Sequence, residues 1–205
     1  PTYDAVFRHN QEHAGAGGAS PMPLIVPANE QGAGFMAAGY ARASGRVGVC
    51  LVTSGPGATN TVTPVRDCAA DSVPIVVICG QVPTAAIGSD AFQEAPVANI
   101  MGAVAKHCFL VTDPTRLEAT VRTAFEIART GRPGPVVIDI PKDVQNWQGA
   151  FQGEGHLDVR GYRQRMNALR SNAVKDDECE AFFAMLAQSE RPLIYAGGGV
   201  IHGEA

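Results

Sequence analysis

The stretch Val47-Gly48-Val49-Cys50-Leu51-Val52-Thr53-Ser54-Gly55-Pro56-Gly57-Ala58-Thr59-Asn60 reads as a short apolar strand, a glycine-rich turn and the opening of a helix. Its hydrophobicity is continuous rather than alternating, which argues for a strand covered on both faces, the habit of a parallel sheet. Similar short runs, rich in Val and Ile and bounded by Gly, Pro or Asp, stand at 24–26, 74–79, 108–112 and 136–140. Helices are expected between them at 32–43, 59–70 and 114–130. The last opens with Asp113-Pro114, a cap followed by proline at the first helical position. It carries Leu117, Val121, Ala124, Phe125 and Ala128 as one amphipathic stripe. Strand and helix in alternation predict an α/β fold built on a doubly wound parallel sheet.

Bulk properties narrow the function. The 205 residues suffice for one domain of ordinary size, with length left for a linker and part of a second. A net charge of -4 and a pI near 5.7 leave no basic stripe for neutralising phosphates, so nucleic acid is not an expected partner. Every apolar run is interrupted before membrane-spanning length, so no membrane partner is expected. Cys50, Cys68, Cys79, Cys108 and Cys179 mostly sit in apolar runs and include no C-x-x-C pair. They read as reduced core thiols, which points to the cytoplasm, or to an organelle if the source is eukaryotic. Among the histidines only the loop-like pair His9 and His13 has i, i+4 spacing, and no metal site is expected from this chain alone. The absence of an initiator Met before Pro1 and the stop at Ala205 suggest a piece of something longer.

Residues 1–145 are expected to form the first domain, 146–190 a polar, glycine-interrupted linker, and 191–205 the start of a second α/β domain. A helix is expected at 176–188 with Cys179, Phe182, Phe183 and Leu186 on its inner face. Arg191-Pro192-Leu193-Ile194-Tyr195-Ala196 followed by three glycines reads as a first strand and turn. Near the start, Ala14-Gly15-Ala16-Gly17-Gly18-Ala19 reads as a loop, with phosphate binding left open.

One carboxylate stands out. Asn29-Glu30-Gln31-Gly32 follows Leu24-Ile25-Val26, placing Glu30 at the tip of an apolar strand and beside the glycine turn, where open parallel sheets form their clefts. Gly32, Ala33, Gly34, Ala37, Ala38 and Gly39 leave one helix face able to approach another backbone closely. Two readings stay open: Glu30 caps the following helix, or it does chemistry. The turn at 54–60 likewise either only redirects the chain or receives a phosphate.

The motifs taken together decide more. Glu30, the Ser54-Gly55-Pro56-Gly57-Ala58-Thr59-Asn60 turn, Gly80-Gln81-Val82-Pro83, Asp90-Ala91-Phe92-Gln93-Glu94, Lys106-His107 and Gly131-Arg132-Pro133-Gly134-Pro135 occur in the order, ending in Asp139-Ile140-Pro141-Lys142-Asp143, that resembles the thiamine diphosphate enzymes. Among these the chain looks most like catalytic subunits of acetohydroxyacid synthase, also called acetolactate synthase. The resemblance is dense over residues 28–145. The glycine turn is widely shared, whereas Ala91-Phe92-Gln93-Glu94 with Pro141-Lys142-Asp143 is more particular. The family usually has His before the glutamate; here it is Asn29.

The resemblance implies the pyrimidine-binding domain of the thiamine diphosphate fold and a transferase that decarboxylates pyruvate and joins the two-carbon unit to a second 2-ketoacid, in branched-chain amino acid biosynthesis. Glu30 is then the catalytic carboxyl that hydrogen-bonds the aminopyrimidine, with burial raising its pKa. Gly55, Pro56, Gly57, Asn60 and Gln81 would bind the cofactor, although Gln81 also reads as a loop residue bonded to backbone. Pro83, Ala91, Phe92, Gln93 and Lys142 would border the substrate; Phe92 as ordinary core and Lys142 as a plain surface charge remain alternatives. Arg132 matches a position that contacts FAD. The ligands of Mg²⁺ lie outside this chain. The implied assembly is a homodimer or tetramer with the site shared between subunits, open to a separate regulatory subunit, so that this piece alone is inert. Other enzymes of the same cofactor (a pyruvate oxidase, a 2-ketoacid decarboxylase or another carboligase) and a non-catalytic homologous module are the alternatives.

Overall fold

The computed structural model describes residues 1–13, 22–150, 164, 167, 168 and 174–202. The glycine-rich stretch at 14–19 lies outside them. The chain divides into two compact units, Pro1–Val159 and Arg160–Ala205.

In the first unit, four strands form one parallel sheet among the described residues: β1 (Gly48–Val52), β2 (Ile75–Gln81), β3 (His107–Leu110) and β4 (Val136–Pro141), in the order β1-β2-β4-β3. Every residue of β4 is buried, as expected of a central strand clad on both faces, whereas β1 exposes Val49 at the edge. Residues of alternating parity feed two cores. Cys50, Val52, Ile75, Val77, Cys79 and Val137 pack with α2 (Glu30–Ser44), α4 (Val62–Asp71) and α5 (Val97–Gly102). On the opposite face Val76, Val136, Ile138 and Ile140 pack with Ala124 and Ala128 of α6 (Leu117–Arg129). The chain reverses direction across the sheet between β3 and β4, and right-handed crossovers then require α6 to lie opposite α4 and α5. The expected doubly wound α/β sheet is thus present.

The small-residue face of α2 serves close packing. An ideal Cβ on Gly34 would come within 2.4 Å of Pro64 Cγ, and one on Gly48 within 2.1 Å of the Ala37 carbonyl oxygen, so helix, helix and edge strand approach at backbone distance. Asp113 caps the turn before α6 by accepting from the Thr115 N–H, as its Asp-Pro signature predicts.

Several expectations need correction. Residues 24–26 form no strand: they lie in an unpaired stretch with Ile25 and Val26 exposed, because Pro23 and Pro27 remove ladder donors on either side. Glu30 therefore stands on the first turn of α2 rather than at a strand tip. The helix expected at 59–70 is two, α3 (Pro56–Thr59) and α4, separated where buried Thr61 turns its hydroxyl back to the Ala58 carbonyl at 2.7 Å. The His9/His13 pair is helical, not loop-like. It closes α1 (Thr2–His13), an element with no strong apolar period, with the two rings 4.2 Å apart.

Beyond β4 comes the single turn α7 (Lys142–Gln145). In the second unit α8 spans Asp176–Gln188 as expected, and Glu178 accepts from the Lys175 N–H at its start. Its Phe182, Phe183 and Leu186 are exposed rather than forming a buried inner face. The strand expected at 191–196 is absent: Leu193, Ile194 and Tyr195 are exposed, and no described neighbouring strand in this unit offers a ladder, before the short helix α9 (Gly198–His202).

Candidate functional site

The carboxyl-terminal edge of the sheet collects the loops after β1, β2 and β4 together with the amino terminus of α2. Asn29 is the N-cap of α2, extended in backbone, with its side-chain oxygen accepting from the Gly32 N–H at 2.7 Å. The next residue, Glu30, is half-buried and reaches across to the glycine turn, where Asn60 Nδ2 donates to Glu30 Oε2 at 3.0 Å. An ideal Cβ on Gly57 would lie 3.8 Å from Glu30 Oε1 and 2.6 Å from Thr53 Cγ2, so only glycine leaves the space beside the carboxylate open. Glu30 is held below the ordinary carboxylate pKa, chiefly by the Asn60 amide and then by a backbone N–H. The expected upward shift is therefore not found in this chain: burial is too slight to outweigh two donors.

Gly55, two residues before Gly57, ties the turn to a second loop. Its backbone stands at φ 56°, ψ -113°, and a Cβ there would strike the Gln93 carbonyl oxygen at 2.5 Å. Asp90 and Gln93 themselves adopt positive φ without being glycine, the kind of strain that gathers at functional loops. Glu94 closes this loop by accepting from the N–H groups of Gly88 and Ala91, and those donors hold its carboxyl below the usual range. Phe92, at the loop tip, is 90% exposed, which removes the ordinary-core reading. Pro83 and Lys142 are exposed and brought near each other by the residues that follow them: the Thr84 N–H and hydroxyl both bond the Asp143 carboxylate.

Gln81, at the end of β2, is buried and fully used within the protein. Its Nε2 donates to the Ala95 carbonyl and to Asp139 Oδ2, both at 3.0 Å, and its Oε1 accepts from the Val82 N–H at 2.8 Å. This is the backbone-bonded alternative, with a buried carboxylate added.

Burial pushes Asp139 up to about 6, against the pull of the Gln81 amide. The folded state thus holds this proton more tightly than the unfolded chain, whose ordinary value is 3.8. Its contribution favours folding below about pH 4 and is lost as pH rises towards 6, by up to about 3 kcal/mol. Denaturant midpoints measured from pH 4 to 7 on the parent and on Asp139→Asn should therefore diverge in the variant's favour as pH rises, and parallel profiles would refute a raised pKa.

Glu94, Asp139 and Asp143 stand in the sequence motifs without an assigned role, and Thr84 carries no motif at all. A legible signal existed for Asp139, a lone charge inside Val136-Val137-Ile138-Asp139-Ile140. None existed for the long-range pairing of Thr84 with Asp143.

Comparison with known proteins decides the family. Residues 7–102 match the family described as thiamine pyrophosphate enzyme, N-terminal TPP binding domain. The chain is 46% identical over 181 residues to the acetolactate synthase large subunit of Corynebacterium glutamicum, which covers 88% of this chain and 28% of that protein. It is 42% identical over 178 residues to the chloroplastic acetolactate synthase of Arabidopsis thaliana (87% of this chain, 26% of the relative). It is 44% identical over 215 aligned positions to the mitochondrial acetolactate synthase catalytic subunit of Aspergillus candidus (100% of this chain, 28% of the relative). Residues 7–102 carry the N-terminal TPP binding domain of the thiamine pyrophosphate enzymes. The chain spans little more than a quarter of the length of these relatives.

For a thiamine pyrophosphate enzyme domain, the residues present suit the pyrimidine half of the cofactor: a carboxylate at a helix amino terminus faces a turn in which a side chain at Gly57 would fill the adjoining space. They do not suit its metal. Among the described residues no three His, Cys, Asp or Glu side chains gather as a cation site. Arg132 lies ahead of β4, at the opposite edge of the sheet. Its guanidinium donates to Ser72 Oγ and to the Ala70 carbonyl at 2.8 Å, and to the Ala69 carbonyl at 3.3 Å, capping the end of α4. The structure therefore does not bring Arg132 together with the other predicted cofactor residues. Arg132→Ala is expected to cost about 1 kcal/mol through the lost cap, lowering the thermal midpoint by about 2–4 °C; an unchanged midpoint would show the cap to be silent. No helix among the described residues is long and apolar enough to cross a membrane.

Proposed function

We propose that this chain is the N-terminal, pyrimidine-side portion of the catalytic subunit of an acetolactate synthase, acting on pyruvate and a second 2-ketoacid in branched-chain amino acid biosynthesis. The observation that supports it most is the Glu30 carboxylate, steadied by Asn60 and facing Gly57 within a family whose domain binds thiamine pyrophosphate. The cofactor, when bound, supplies the carbon nucleophile and the electron sink for decarboxylation. Glu30 would hold the aminopyrimidine end of the cofactor, its carboxyl sharing a proton with a ring nitrogen so that the ring amine becomes usable as a base. Asn60 keeps the carboxylate in one rotamer. Gly55 and Gly57 would let the backbone approach the ring, and Ala91, Phe92 and Gln93 of the 90–94 loop would border the substrate together with Pro83 and Lys142.

Mg²⁺ and FAD, in this proposal, are held through residues outside this chain. The remaining walls come from a neighbouring subunit in a homodimer or larger assembly, so this portion alone has no turnover. The second unit then leads into a further domain. The compartment is the cytoplasm in a bacterium and an organelle in a eukaryote.

The test is product analysis of the full-length protein given pyruvate. Acetolactate is expected. Acetaldehyde or acetyl phosphate as the main product would overturn the assignment in favour of a decarboxylase or an oxidase.

A further inference from the structure

Asp139 is 1% exposed, and its Oδ1 is the one buried side-chain polar atom without a hydrogen-bond partner among the described residues. Such an orphan calls for an explanation. The strand does not need it: Asp139 faces Cys79 and Val137 in an apolar core, where a hydrophobic side chain would pack without desolvation, and replacing buried charge in this way often leaves stability unharmed. What the carboxylate does provide is one fixed acceptor. Its Oδ2 takes one hydrogen of Gln81 Nε2, which leaves the other hydrogen aimed at the Ala95 carbonyl, while the Gln81 oxygen is tied to Val82 N–H. Ala95 is the base of the loop that Glu94 closes and that Gly55 receives at Gln93.

We propose that Asp139 is a positioning residue which, through the Gln81 amide and the Ala95 carbonyl, sets where Phe92 and Gln93 stand at the carboxyl-terminal edge of the sheet. The proposal rests on the reading of that loop as a substrate wall, but its mechanical content is independent of it. Without the carboxylate, Gln81 loses the partner that selects its rotamer, and the loop keeps only the ties made by Glu94. Asparagine at 139 retains an acceptor of the same shape. Valine does not.

Hydrogen exchange on the full-length protein tests this directly. In Asp139→Val, amides of residues 88–95 should exchange at least about tenfold faster, the factor equivalent to one lost hydrogen bond, while those of α6 keep the parent rate. Asp139→Asn should hold loop protection within about threefold of the parent. Should the valine variant fail to fold, Gln81→Met removes the same tie and should loosen the same residues. Unchanged loop exchange in the folded valine or methionine variant, or equal loosening by asparagine and valine, would overturn the proposal. A fully active Glu30→Gln enzyme would defeat the cofactor reading yet leave the exchange result standing.

Discussion

Glu30→Gln in the full-length protein should reduce kcat by about two orders of magnitude or more, the range typical of a lost proton-handling group. Glutamine keeps the size of glutamate and can still accept from Asn60, which donates to Oε2 at 3.0 Å, so folding and the α2 cap should survive. What it cannot do is take and return a proton. Two features of the site make the carboxylate available as an acceptor at neutral pH: the Asn60 amide and the amino terminus of α2 both favour the ionised form. Steady-state kinetics with thiamine diphosphate in excess, alongside a thermal scan, separate the effects. Normal turnover in a normally folded variant would reduce Glu30 to a helix-terminal residue.

Gly55→Ala should destabilise the fold by about 3 kcal/mol or more and abolish activity in whatever fraction stays folded. Two costs coincide there. The backbone at φ 56°, ψ -113° is a region that side chains avoid, and the new methyl would sit 2.5 Å from the Gln93 carbonyl oxygen. Relief requires the turn and the 90–94 loop to separate, which dismantles the junction between Glu30's corner and Phe92. Gly39→Ala on the exposed face of α2 is the natural control, since nothing lies within 4 Å of its added Cβ. That change should stabilise by about 0.5–1 kcal/mol through helix propensity. Chemical denaturation of both variants decides; a Gly55→Ala midpoint at the parent value would contradict the close contact.

The sheet was readable because burial on both faces leaves an unmistakable texture, as in Val136-Val137-Ile138 and Ile75-Val76-Val77. The same texture misled at Leu24-Ile25-Val26 and at Leu193-Ile194-Tyr195, since an apolar run is a strand only if a neighbour completes its hydrogen bonds, and prolines or the lack of a partner prevent that here. The turn chemistry around Asp113-Pro114 was local and could be read outright. The site divided along the same line. Its glycine turn and Glu30 are local signals, but the Asn60 bond to Glu30 spans 30 residues, Gln81 meets Asp139 across 58, and Thr84 meets Asp143 across 59. Such pairings are created by the topology. Glu30's pKa was expected to rise and is instead lowered for that reason, because the shift depends on Asn60. Arg132 shows the converse: a motif match suggested a cofactor contact, and the coordinates engage its guanidinium at the end of α4.

The most direct test is a structure of the full-length protein with thiamine diphosphate bound. A Glu30 carboxylate oxygen is expected about 2.7–3.2 Å from an aminopyrimidine ring nitrogen, with Gly55 and Gly57 against the ring and a neighbouring subunit completing the enclosure. A cofactor bound elsewhere, with Glu30 bonded only to Asn60 and solvent, would contradict it.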